Sequence, residues 1–302
     1  MAVTKGKPFL NLDSDRDSKF YNDYLARNEL IINNGIKDVI SCRRDVINYL
    51  EDQRLPQEIK NDLIKKMKQA LKYEVIPSTE FDWISSSDRA SYWVWGVLKI
   101  ADFNYLGYSS IRNPFPDLPQ GYTFYDWIVF NKTPSSTPER IDAIVEFFDR
   151  WKCAPEMKKE LLQKLKIYWK GVTNMPDPFS WLDQNDEKQC EWAWGYICKI
   201  GLPHNLLLPV SPTEKYHSIY AAFDLWDVFY DTKKLFLITF KKAWDQKKYR
   251  NKQTGRKPLN TYLQDKTKKK LDTLAKQRGQ RIHETLEWLI NQEYDNNRLP
   301  SI

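Results

Sequence analysis

Apolar residues recur three and four positions apart along much of this chain, which is the spacing of amphipathic helices. In residues 17–34, for example, Phe20, Tyr24, Leu25 and Ile31 fall on roughly one side of a helix. The pattern predicts a mainly α-helical protein. Its length of 302 residues is enough for two or three domains.

The apolar pattern repeats itself from about Val39 with an offset of 98 residues. The matched pairs at this offset are Trp83 with Trp181, Val46 with Ile144, Ile47 with Val145, Tyr49 with Phe147, Leu50 with Phe148, Leu63 with Leu161, Met67 with Leu165 and Leu71 with Trp169. With one inserted residue, Trp93-Val94-Trp95-Gly96 falls on Trp192-Ala193-Trp194-Gly195. Agreement over this length predicts tandem helical repeats with a period of about 98.

Each repeat is predicted to contain two helices, a proline-rich connector and a third helix that carries Trp-x-Trp-Gly. The predicted helices are 45–53, 56–73 and 88–101 in the first copy and 138–151, 155–171 and 186–200 in the second. The connectors are residues 113–119 and 208–212, which the prolines keep extended. A third, shortened copy is predicted to start near Ser218, with a helix over residues 233–250.

The two Trp-x-Trp-Gly motifs allow two interpretations. Residues i and i+2 of a helix point to different sides, so the two indoles of a motif cannot share one stripe. Both could still be core, which we favour because large aromatic residues dominate helical packing. Alternatively, one indole of each motif belongs to an aromatic surface for a peptide, a partner protein or another protomer.

Near the C-terminus the periodicity changes. Leu259, Thr261 and Leu263 alternate with Asn260, Tyr262 and Gln264, which predicts a short strand. The next predicted element is a helix capped by Asp265, with Thr267, Leu271 and Leu274 on one face. A glycine turn at Gly279 ends this helix. A second helix follows, and its apolar face contains Ile282, Leu286, Leu289 and Ile290.

A lone strand beside two short helices cannot complete its backbone hydrogen bonds. The same strand of a second copy is the simplest partner, and the resulting two-stranded ribbon fits the major groove of B-DNA. The segment resembles the ribbon-helix-helix family of the Arc, MetJ and CopG repressors, and within it the MatP-type organisers. The residues that carry the resemblance are Arg256, Lys257, Thr261, Leu263, Leu271, Leu274, Ala275, Arg278, Gly279 and Thr285.

The resemblance implies roles for individual residues. Asn260, Tyr262 and Gln264 are expected to face base edges, where Asn and Gln suit adenine. The alternative is that these side chains form only a solvated face. The dimer core is expected to contain Leu259, Thr261, Leu263, Leu271, Leu274, Leu286 and Leu289. Phosphate contacts are expected from Lys247, Lys248, Arg250, Lys252, Arg256, Lys257, Lys268, Lys269, Arg278 and Arg281.

The chain departs from the family at the start of the second helix. The family usually places a serine or threonine there, and the free amides of that helix hold a phosphate. Arg281 stands at this position and supplies a cation instead of a cap. The amides of Ile282 and His283 are expected to complete the phosphate contact with it.

The distribution of charge agrees with a DNA contact. Residues 233–281 contain 17 Lys and Arg against three Asp, which gives a charge of +14. The remaining C-terminal residues carry −3 and residues 1–232 carry −4. A basic block on a mildly acidic chain is typical of a nucleic-acid contact.

Several classes of function have no support in the sequence. No secretory signal or membrane span is recognised. The four cysteines and three histidines lack metal-ligand spacing, so no metal or cofactor is expected. With ten glycines there is no phosphate-binding loop, and no nucleophile elbow or zinc-protease motif is present, so the chain is not expected to be an enzyme.

Together these patterns predict a sequence-specific, double-stranded DNA-binding homodimer of the nucleoid in the cytoplasm. The expected segments are an N-terminal lead and helix (1–37), repeats at 38–134 and 135–232, a basic linking helix (233–256) and a ribbon-helix-helix domain (257–302). The repeats would bridge DNA sites or serve regulation. The alternative function is a protein-interaction module, of the antitoxin or relaxosome-accessory type, whose repeats hold a partner protein.

Overall fold

A computed structural model describes residues 10, 12–32, 37–101, 123–129, 133–202, 207–252, 255, 257 and 259–297. Every regular element within these ranges is a helix. The helices are α1 (Asp15–Arg27), α2 (Val39–Glu51), α3 (Gln57–Glu74), α4 (Asp82–Ser85), α5 (Asp88–Ile100), α6 (Phe124–Ile128), α7 (Thr137–Arg150), α8 (Pro155–Thr173), α9 (Glu187–Ile200), α10 (Pro212–Leu225), α11 (Tyr230–Lys252), α12 (Asp265–Arg278) and α13 (Ile282–Asn296). A short 3-10 turn, Ser78–Phe81, precedes α4.

The chain forms two compact units, Met1–Lys242 and Ala243–Ile302. We call them the first unit and the second unit. Helix α11 contributes residues to both. None of the described helices combines the length and the apolar character that a membrane crossing requires. The finer division into repeats and a linker stays a prediction. Helices α2 and α7 begin at Val39 and Thr137.

The helix boundaries follow the capping residues rather than the apolar pattern alone. Helix α2 begins six residues before the predicted start because the carboxylate of Asp38 accepts a hydrogen bond from the Ser41 amide. Helix α1 ends at Arg27, not at Asn34, and Glu29 beyond it has a positive φ of 57°. Ser218, near which the third copy is predicted to start, lies in the middle of α10. The lead at residues 1–9 and the connector at residues 113–119 lie outside the described residues.

Helix α5 lies at the centre of the first unit. All ten residues from Ala90 to Lys99 are buried. Trp93 and Trp95 are therefore both in the core, on different sides of the same enclosed helix. Trp192 and Trp194, on α9, are half-buried and pack against the same cluster. The core interpretation of the motif is confirmed for the first copy, whereas α9 leaves part of each indole accessible.

Ionic and aromatic contacts attach α5 to its neighbours. The buried Arg140 of α7 donates to the Glu214 carboxylate of α10, which also accepts from the Tyr92 hydroxyl of α5. The Arg140 guanidinium carbon lies 3.4 Å from the centroid of the Tyr92 ring. A buried pair of this kind is costly to break, because the remaining charge has no water to replace its partner.

A second set of contacts joins α5 to α10 and α6. Arg89 and Asp224 form a two-pronged ion pair, with nitrogen–oxygen distances of 2.9 and 2.8 Å. Lys99 pairs with Asp126 on α6. Each pair connects a residue of α5 to a distant part of the sequence, so these contacts define how the helices cross.

The four cysteines, Cys42, Cys153, Cys190 and Cys198, are free thiols of the first unit. Burial raises the pKa of Cys153 and of Cys190 to about 11. Both thiols therefore stay protonated near neutral pH.

The two motif glycines differ in their surroundings, which yields a matched test. A Cβ at Gly96 would lie 2.4 Å from Cδ1 of Leu225, whereas a Cβ at Gly195 would meet no atom within 4 Å. We expect Gly195→Ala to stabilise the first unit by up to about 1 kcal/mol through helix propensity. Gly96→Ala is expected to be at least about 1 kcal/mol less stable than Gly195→Ala, because Leu225 must move. Urea unfolding followed by tryptophan fluorescence measures both, and equal effects would contradict the close approach of α5 and α10.

A second test concerns His217 of α10, which is buried and stacks on the Tyr92 ring. Burial lowers the pKa of His217, although Asp88 and Glu214 favour its charged form. The unfolded chain therefore binds this proton at higher pH than the folded chain, so stability falls as the pH drops below about 6.5. His217→Phe, which keeps a stacked ring, and His217→Gln should both weaken this pH dependence. Urea midpoints between pH 7.5 and 5 provide the measurement, and an unchanged slope in both variants would disprove the assignment.

Candidate nucleic-acid interface

The predicted strand, residues 259–264, has no regular structure within the single chain. The described residues provide it with no partner strand, and a strand exists only through its ladder of hydrogen bonds. The expected strand is thus not confirmed. All six side chains are exposed, and Tyr262 is fully exposed at 104%. The base-reading candidates Asn260, Tyr262 and Gln264 are therefore accessible, and Leu259, Thr261 and Leu263 are uncovered rather than buried.

Helix α12 begins differently from the prediction. Gln264 precedes the helix without a capping side-chain hydrogen bond, and Asp265 is the first helical residue. The Asp265 carboxylate lies 2.9 Å from Nζ of Lys269, one turn further on. The prediction that Asp265 caps the helix is wrong, but its negative charge is favourable in the first turn.

The turn between α12 and α13 follows the glycine prediction. Gly279 is left-handed, with a φ of 63°. Its N–H donates to the Lys276 carbonyl, and the N–H of Gln280 donates to the Ala275 carbonyl at 3.0 Å. These bonds close the end of α12 and direct the chain into α13.

The start of α13 already carries a carboxylate. Oε2 of Glu284 accepts from the backbone N–H of Arg281 at 2.8 Å. Ile282 and His283, the other proposed phosphate contacts at this helix end, are exposed. A phosphate at this helix end would meet the negative charge of Glu284. Sequence reasoning missed this residue, although its spacing of three from Arg281 is that of a capping box.

The predicted dimer core is only partly covered in one chain. Leu271 is buried, and Leu274, Leu286 and Leu289 are half-buried. Ala275 and Thr285 are the other buried residues of α12 and α13. Ile282, Ile290 and Trp288 remain exposed. The two helices therefore share a very small core and leave apolar surface in contact with solvent.

The predicted phosphate contacts lie on accessible surface. Lys247 and Lys268 are half-buried, and the exposed members are Lys248, Arg250, Lys252, Lys257, Lys269, Arg278 and Arg281. Arg256 lies outside the described residues. Three of the lysines have carboxylate neighbours, in the pairs Lys248–Asp245, Lys268–Asp272 and Lys269–Asp265. These exposed pairs contribute little to stability, so their lysines remain available to a phosphate.

The two units differ in net charge. The second unit contains 14 Lys and Arg against seven Asp and Glu. The first unit contains 33 of each kind and is neutral. The whole net charge of +7 therefore belongs to residues 243–302, where it is available to attract an anionic partner.

No protein-family model, curated protein or solved structure matches the chain. The site is therefore interpreted from its own residues. They combine an exposed polar segment, two basic helices joined by a glycine turn, and uncovered apolar side chains.

The glycine turn allows a direct test of how the site is built. Gly279→Ala places a Cβ on a left-handed residue, so we expect a loss of about 1 kcal/mol or more. Gly279→Asn is the matched control and should cost less, because asparagine tolerates this conformation. The thermal midpoint of the second unit, followed by circular dichroism of a fragment or by hydrogen exchange in the full chain, provides the measurement. Equal losses would show that the turn does not need its left-handed residue.

Proposed function

We propose that the chain is a dimeric protein that binds duplex DNA in a sequence-specific manner through residues 257–302. The observation that carries the proposal is the exposed segment 259–264, which precedes α12 and has no partner strand among the described residues. The Gln264 carbonyl accepts from the amides of Thr267 and Lys268. The rest of the backbone could pair with a second copy, and the alternating residues would then separate into an apolar and a polar face. In this form the second unit would be a ribbon-helix-helix domain of the MatP type.

The apolar side chains of the second unit support a partner made of the same chain. Leu259 is 64% exposed, Leu263 is 42% exposed and Ile290 is 53% exposed. A unit of about sixty residues can form only a small hydrophobic core. Exposed leucine and isoleucine side chains on such a unit favour association with a second copy. Pairing of two equivalent segments satisfies both chains at once, which is the usual geometry of a twofold dimer.

The charges and polar side chains support duplex DNA as the ligand. Paired segments would present Asn260, Tyr262 and Gln264 from both chains on one face, where amide side chains suit adenine edges. The surrounding lysines and arginines would contact phosphates. With six to ten such contacts, affinity would fall by about 10³- to 10⁵-fold between roughly 50 and 200 mM salt.

The neutral first unit is assigned a different role. Its lack of net charge argues against general phosphate attraction, so we propose that its tandem helical repeats join DNA-bound dimers or recruit a partner protein. Trp192 and Trp194 are among the half-buried aromatic residues that pack against its core. In this proposal the protein acts in DNA organisation or regulation and is found with the nucleoid.

Selection of bound sequences from random duplexes tests the proposal. We expect wild-type protein to enrich one sequence that contains adenine, and Asn260→Ala and Tyr262→Ala to change or relax that preference. Tyr249→Ala is the matched control, because Tyr249 is an exposed tyrosine of α11 outside the proposed ribbon. It should leave the preferred sequence unchanged.

Sedimentation of the same proteins tests the dimer. Leu263→Glu places a charge in the proposed dimer core and should yield monomers that lose DNA affinity. Two outcomes contradict the proposal: a preferred sequence that survives both ribbon substitutions, or a wild-type protein that binds no duplex. A wild-type protein that binds no DNA but purifies with a stoichiometric protein partner would favour the alternative interaction module.

A further inference from the structure

Arg278 and Trp288 form a stacked pair across the turn between α12 and α13. Arg278 is the last residue of α12, and Trp288 lies in the second turn of α13. The guanidinium carbon is 3.4 Å from the centroid of the indole ring. At this van der Waals distance the guanidinium must lie flat on the ring.

Flat stacking on the indole does not involve the N–H donors of the guanidinium. All five N–H groups of arginine lie in its plane and therefore point away from the indole face. Within the described residues Arg278 has no carboxylate partner, unlike Lys268 and Lys269 on the same helix. A guanidinium held in this way can donate two parallel N–H hydrogen bonds to two oxygens of one phosphate.

The position of the pair strengthens this interpretation. The amide of Arg281 at the start of α13 is occupied by the Glu284 carboxylate. That helix end is consequently a poor anion site, although in many proteins such ends hold phosphates. Arg278 lies only one residue before Gly279, on the other side of the same turn, and remains exposed. It can therefore supply the phosphate contact that the helix end does not.

We propose that Trp288 is a positioning residue that holds Arg278 against a phosphate of the DNA backbone. The inference rests on the proposed DNA-binding function and concerns how this chain anchors itself beside its reading segment. The stack restricts the long arginine side chain before binding, so less conformational entropy is lost when the phosphate contact forms. Trp288 itself need not touch the DNA.

A double-mutant cycle on the full-length dimer tests the inference, with a duplex taken from the selection as the probe. We expect Arg278→Ala to weaken binding about tenfold and to reduce the slope of log affinity against log salt by about 0.9, the value for one lost phosphate contact. Trp288→Leu should weaken binding about two- to fivefold, as expected for a lost cation–π contact. In the Arg278→Ala background Trp288→Leu should cost nothing further. Trp288→Phe keeps an aromatic face and should retain most of the affinity.

Lys276 provides the matched control. It lies in the last turn of α12 and forms no ion pair among the described residues. The effects of Lys276→Ala and Trp288→Leu should therefore add.

Two results would overturn the inference while leaving DNA binding intact. One is an equal cost of Trp288→Leu with and without Arg278, which would show that Trp288 acts on binding independently of Arg278. The other is an unchanged salt slope in Arg278→Ala. Failure of wild-type protein to bind any duplex would instead reject the proposed function itself.

Discussion

Backbone hydrogen bonding is the constraint on which the proposed function depends. Peptide groups that leave water need partners, and residues 259–264 pair with no strand among the described residues. The same segment carries exposed leucines and is followed by two helices with a minimal shared core. One association event would therefore satisfy the backbone and cover apolar surface together. Recognition of DNA would be a property of the pair of chains and not of either chain alone.

The first unit, by contrast, has an extensive buried core of its own. Residues Ala90–Lys99 of α5 are all buried, and Arg89 and Lys99 form ion pairs with residues of α10 and α6. The Arg140–Glu214–Tyr92 group shows why the arrangement is specific: each buried charge has a partner that only this crossing of helices provides. Such a unit is suited to hold a fixed shape, which a module that joins or recruits other molecules requires.

The helical class could be predicted from sequence because apolar spacing, prolines and capping residues act locally. Gly279 was predicted for the same reason, since a left-handed helix end is a local requirement. The predicted helix boundaries are wrong where a single capping side chain determines the start of the helix, as Asp38 does for α2. The enclosure of both Trp93 and Trp95 could not be read from periodicity, because it depends on helices far away in the sequence.

The candidate site likewise has local features that the sequence predicts and long-range contacts that it does not. The basic block and the alternating segment are visible in the sequence, as composition and pattern. The stack of Arg278 on Trp288 requires two helices to meet, and the pairing of residues 259–264 requires a second molecule. A pattern within one chain contains neither kind of information.

Sulfur is distributed unevenly between the two units, with a chemical consequence. All four cysteines and all four methionines belong to residues 1–242, so the proposed DNA-contacting unit contains neither residue. In the first unit, burial keeps Cys153 and Cys190 as unreactive thiols. Peroxide would thus find no thiol or thioether to oxidise within residues 243–302. The surface proposed to bind DNA therefore cannot be inactivated by oxidation of a sulfur atom of its own.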